Sequence, residues 1–152
     1  VAGFVVAEDS TIQIVDLRSE TEFNNYSIPG SFNIPFNEFF ESSPETWLYN
    51  KSTHYIFYSN NDVNACYALV LAQGLGYKNC YVMKGGLNEW FEKIMHSKFY
   101  GDRISPRENA LFETRSRAKR FFTEINSMPD SLRLKYAESR RQAERALDGG
   151  CE

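Results

Sequence analysis

Residues 54–76 read HYIFYSNNDVNACYALVLAQGLG, and this stretch decides the fold. His54 to Tyr58 puts three aromatics and an isoleucine in a row, the strongest strand signal in the chain. Ser59-Asn60-Asn61-Asp62 is a loop built from turn formers. Val63 to Leu75 reads as a helix, closed by Gly76. An apolar strand, a polar loop and a helix in this order make one β–α unit of a parallel sheet.

The same unit repeats outward. Toward the C-terminus, Cys80 to Met83 is a strand broken by Gly85-Gly86, and Leu87 to Met95 is a helix bearing Trp90. Toward the N-terminus, Thr11 to Leu17 (TIQIVDL) is a buried strand preceded by an apolar helix, Val1 to Ala7, that ends near Glu8-Asp9-Ser10. Arg18 to Asn25 is a short helix, because Ser19 stands three residues before Glu22 at capping-box spacing. Ile28-Pro29-Gly30 is a turn, Phe32 to Ile34 a minimal strand ended by Pro35, and Asn37 to Phe40 one helical turn. Ser43-Pro44 opens a loop or short helix through Tyr49. The expectation is an α/β domain with roughly five mostly parallel strands flanked by helices.

After His96 the texture changes. Lys98 to Arg107 reads as a loop with Gly101 and Pro106. Ala110 to Ile125 places Leu111, Ala118, Phe122 and Ile125 on one side of a helix. Pro129-Asp130 opens a second helix, 131–147, with Leu132, Tyr136, Ala143 and Leu147 in a stripe, and Gly149-Gly150-Cys151-Glu152 is a flexible tail. Charge divides the same way. Residues 1–97 carry 5 Lys+Arg against 11 Asp+Glu, a net −6, and residues 98–152 carry 12 against 9, a net +3. A domain over 1–97 and a helical extension over 98–152 follow. The extension's aromatics, Phe112, Phe121, Phe122 and Tyr136, read as packing surface that covers the sheet domain or pairs with another copy.

Several function classes fall away. The extension is weakly basic with interspersed signs, which does not fit nucleic-acid binding. No apolar run approaches the ~18 residues of a membrane span. Cys66, Cys80 and Cys151 are odd in number and widely spaced, so they form neither a disulfide framework nor, with only His54 and His96, a zinc site. Asn60, Asp62 and Asn64 alternate like calcium ligands, but Ala65 and Leu71 stand where such a loop needs Gly and Glu. No metal and no cofactor is expected. The chain opens on Val1 in mid-pattern and reads as a fragment, which leaves its compartment open.

The stretch 12–94 resembles the rhodanese family. The matching residues are Asp16-Leu17-Arg18, then Glu22-Phe23, then Ile28 to Pro35 (IPGSFNIP), then Leu75 to Gly86 (LGYKNCYVMKGG) and Trp90. The resemblance implies a sulfurtransferase scaffold. Working members place a cysteine directly after the strand that matches His54–Tyr58. The loop it opens cradles an anion with backbone N–H groups and a helix N-terminus, which favours the thiolate that attacks a sulfur donor.

Here Ser59 stands in the cysteine's place, Asp62 in that of the usual glycine, and Ser27 where the family commonly has His. The loop holds no Arg or Lys. A serine cannot carry a persulfide, and no neighbouring His or Lys in the loop could act as its base. Asp62 is placed to cap the following helix, an internal substitute for a bound anion. Loop residues Ser59, Asn60, Asn61, Asp62, Val63 and Asn64, with Asp16 and Arg18, make up the candidate binding site. Asp16 and Arg18 read chiefly as a pair that ties the strand end to the neighbouring loop.

Cys66 reads as a core cysteine, with a displaced reactive thiol as the alternative. Cys80 reads as core. Cys151 reads as an unconstrained terminal thiol, with a mobile sulfur carrier as the alternative. The expected function is a catalytically inactive rhodanese-like module that binds a partner or regulates a larger protein. The alternative is a thiosulfate or persulfide sulfurtransferase using Cys66 or Cys151. A phosphatase reading, implied by the scaffold, needs a C-x(5)-R loop that is absent. A homodimer through the C-terminal helices is a further expectation.

Overall fold

The computed structural model describes residues 1–98 and 105–148, with side chains as far as Ala146. Four strands form one parallel sheet: β1 (Ile12–Asp16), β2 (Ser31–Asn33), β3 (His54–Tyr58) and β4 (Cys80–Val82), in the order β2-β1-β3-β4. The sequence pattern predicts about five. The count is four among the described residues because every other ordered segment is helical or a loop, including the apolar N-terminus, which coils as α1 (Ala2–Ala7). Helix α1 stops at Glu8, whose left-handed backbone (φ 49°) closes the last turn.

Helices cover both faces of the sheet, as parallel strands require. On one face α3 (Phe36–Glu41) and α4 (Val63–Gly74) enclose Val15, Phe39, Tyr55, Phe57 and Tyr77. On the other, α1 and α5 (Gly86–Trp90, continued through Met95 by a wider π-type turn) enclose Ile14, Ile56, Met83, Leu87 and Trp90. Between β1 and β2 lies α2 (Glu20–Asn25), with the expected Ser19–Glu22 capping box in place. Pro44–Thr46 is a single tight turn.

The extension forms α6 (Pro106–Ser127) and α7 (Asp130–Asp148). Ala118 and Phe122 of α6 join the core beneath α1 and α5, with the Phe122 ring 5.9 Å from Trp90 and 5.8 Å from Phe91. Leu111, expected in the same stripe, is exposed because the helix meets the domain only from its middle onward.

Helix α7 departs from its expected apolar stripe. Leu132 and Ala143 are exposed, and the side chain of Leu147 lies outside the described residues. The inward face is Arg133, Tyr136, Ala137, Arg140, Arg141 and Glu144. Two of these arginines meet backbone carbonyls and a third meets aromatic rings, so charge and hydrogen bonding help to set the helix's rotation. Arg133 donates to the carbonyls of Asn24 and Asn25, and Arg140 to those of Glu8 (2.6 Å) and Asp9 (3.3 Å). Tyr136 donates to the Glu8 carboxylate at 2.9 Å. Arg141 lies over the rings of Phe32 (4.6 Å) and Tyr49 (5.4 Å).

Candidate functional site

The loop Ser59–Asp62 leaves the C-terminal end of β3, where ligands of open parallel sheets bind. Its backbone is bolted to the start of α5. The Ser59 carbonyl accepts from Leu87 N–H at 2.9 Å and the Asn60 carbonyl from Asn88 N–H at 3.1 Å. Gly86 makes this possible. It sits at φ +57°, and a Cβ there would lie 2.4 Å from the Ser59 oxygen.

The loop side chains are equally committed. Asn60 Nδ2 donates to Glu22 Oε1 at 2.8 Å, and Asn61 Oδ1 accepts from Val63 N–H at 3.0 Å. Asp62 Oδ1 accepts from Gly85 N–H. Asp62 stands at the N-cap position of α4 but makes no side-chain cap bond there, contrary to expectation. Its backbone is already helical (φ −80°, ψ −22°) rather than extended as a capping residue needs, and the α5 turn offers its carboxylate a free N–H. Ser59 itself is buried, at 7% exposure.

Glu22 is the loop's anchor; the sequence pattern singles it out as half of a capping box and as part of the Glu22-Phe23 motif, not as a partner of the loop. The hydrogen bond from Asn60, then that from Ser19, hold its carboxyl below the usual glutamate range.

Asp16 and Arg18 lie beneath the loop, at the end of the neighbouring strand, and both are buried. Arg18 Nη2 reaches Asp16 Oδ2 at 2.7 Å and donates to the Tyr26 carbonyl at 2.6 Å. Burial opposes the guanidinium's charge, and the hydrogen bond and charge of Asp16 more than offset that, so the arginine stays ionised. Tyr58 completes the layer. Its hydroxyl accepts from Ile28 N–H at 3.1 Å and lies 3.0 Å from Ser31 Oγ, and burial pushes its pKa well up. Ser27 has its N–H and carbonyl both taken by the Asn126 amide of α6, at 2.8 and 2.9 Å.

The three cysteines separate. Cys80 is buried, and burial raises its thiol to about 11. Cys66 is exposed, not core. Ala65, Ala68 and Ala72 are the fully buried stripe of α4, flanked by the half-buried Leu69 and Leu71, and Cys66 is one residue off that stripe, about 100° around the helix. Cys151 lies outside the described residues. No helix among the described residues is long and apolar enough to cross a membrane.

The rhodanese-like domain profile matches residues 6–93, more than half of the chain. The chain belongs to the rhodanese-like domain family. Solved rhodanese-like structures superpose on it. A rhodanese-related protein from Thermoplasma volcanium is 24% identical with a TM-score of 0.51, covering 60% of this chain and 88% of its own. An uncharacterized protein from Saccharomyces cerevisiae is 25% identical with a TM-score of 0.52, covering 59% and 82%. A Rhodopseudomonas palustris protein of unknown function, named a possible tyrosine phosphatase, is 24% identical with a TM-score of 0.50, covering 60% and 74%. Similarity at this level establishes the shared rhodanese-like fold. No curated protein sequence matches the chain.

Proposed function

We propose that this chain is a non-catalytic rhodanese-like module that binds or regulates within a larger protein. One observation carries the reading: Ser59 heads a loop in which the Asn60, Asn61 and Asp62 side chains make internal contacts, with the Asp62 carboxylate bound to Gly85. Sulfur transfer needs a thiolate at the head of that loop, and a serine hydroxyl supplies none. Phosphoryl transfer on the same scaffold needs a loop nucleophile and a guanidinium, and residues 59–64 hold no arginine.

A second reading, persulfide transfer through a displaced thiol, is supported by the exposure of Cys66 on the second turn of α4. Intact mass after incubation of reduced protein with thiosulfate, and again after cyanide, separates the two. The non-catalytic reading expects no added sulfur. A cyanide-sensitive gain of one sulfur atom that disappears in Cys66→Ser or Cys151→Ser would transfer support to the enzyme. The loop itself can be tested by restoring it: Ser59→Cys with Asp62→Gly is expected to load sulfur where wild type does not.

A further inference from the structure

Helix α4 has no charged residue from Val63 to Gly74, and its outer side carries an apolar stripe flanked by the uncharged polar residues Asn64 and Gln73. Val63 is 57% exposed, Tyr67 61% and Val70 69%, and Cys66 lies exposed among them. The positions i, i+3, i+4 and i+7 form one continuous stripe. It extends across α3. The Phe36 ring lies 6.4 Å from Tyr67 and 4.7 Å from Phe40, which is itself 44% exposed. This patch presents on the order of 500 Å² of apolar surface, the upper end of what monomers carry without a partner.

We propose that this face docks a second copy of the chain, α4 against α4 across a two-fold axis. The spacing is self-complementary. An antiparallel copy sets Val63 opposite Val70 of the second copy and Cys66 opposite its Tyr67, so each apolar residue of the stripe meets an apolar one, as an isologous contact requires. The helix offers no charge for a charged partner to pair with, and two copies place no like charges at the centre of the contact. Small side chains at Cys66 and Gly74 let the axes close to the ~8–10 Å of packed helices. The patch supplies the apolar centre of a standard interface of about 800 Å² per partner, and the exposed Glu38 and Glu41 beside Phe40 supply a polar rim. The inference goes beyond the proposed function and holds whether or not the module is catalytic.

Sedimentation velocity of the full chain over a micromolar concentration series, with Val70→Lys and a Leu132→Lys/Leu134→Lys double variant alongside, tests it. Both sets of changes are at exposed positions, so the fold should persist, and circular dichroism melts check this. The expected result is a reversible dimer weakened at least about tenfold by Val70→Lys and unchanged by the α7 double variant. A short bis-maleimide should cross-link Cys66 to Cys66 in a Cys151→Ser background, and not when Val70→Lys is added. A monomer at every concentration overturns the proposal. So does a dimer indifferent to Val70→Lys, and one lost only in the α7 variant would place the interface on the C-terminal helices.

Discussion

Helices α6 and α7 are neighbours in sequence and lie on the same domain, yet they are attached by different means. Helix α6 inserts Ala118 and Phe122 into the layer that holds Trp90 and Ile94, and its Ile125 is buried as well. Helix α7 brings no comparable apolar stripe. It grips carbonyls at residues 8, 9, 24 and 25 with Arg133 and Arg140, and two aromatic rings with Arg141. Apolar contact is indifferent to salt and to small rotations, whereas arginine contacts are directional and screened where solvent reaches them. A helical extension can thus be part core and part strap.

The contrast can be broken by experiment, beginning with the largest effect. Phe122→Ala should destabilise the whole domain by about 3–5 kcal/mol, because it empties the space between Trp90 and Phe91. Chemical denaturation would show this as one cooperative transition at lower midpoint. If only the extension melted, α6 would not share the core. Arg133→Ala should cost about 0.5–1.5 kcal/mol through the lost hydrogen bonds to the Asn24 and Asn25 carbonyls, and the loss should appear as faster amide exchange in α7 and the end of α2.

Raising salt from low to ~1 M should speed exchange in α7 by less than tenfold and leave α6 unchanged. Equal responses would mean that the two helices are held alike. The smallest effect concerns the loop, held at one point by a single carboxylate. Glu22's folded pKa is depressed, so its contribution is full above the unfolded value of ~4.3 and is lost as pH falls through the lower folded value. The Asn60 side-chain amide resonances should shift in that acid window, and Glu22→Gln should remove the shift.

Patterns local in sequence were readable. The strands at 12–16 and 54–58 and the Ser19–Glu22 box follow from runs and spacings of a few residues. The second capping box, Ser105 with Glu108 around Pro106 at the first helical position, was equally local. Reading Pro106 as a loop residue concealed it, although proline is favoured in a helix's first turn, and the helix begins four residues before Ala110. What the sequence concealed is non-local. An apolar periodicity cannot identify an arginine that packs on distant carbonyls, so α7's inner face was misassigned. Nor can it tell which side of a helix without charges is turned outward, so the expectation of a core Cys66 fails. In the candidate site, the polar loop Ser59–Asp62 between strand and helix is legible in the sequence. The Asn60–Glu22 and Asp62–Gly85 contacts span 38 and 23 residues, and no local pattern encodes them.

The grip of α7 on Glu8 and Asp9 joins residues 128 to 132 positions apart. During synthesis the N-terminal side emerges first, and the corner between α1 and β1 has to wait for more than 130 further residues before its carbonyls meet Arg140. That corner is therefore completed only after all four strands have been made. A nascent chain halted after Ser127 should present it to proteases in a form that the finished protein hides.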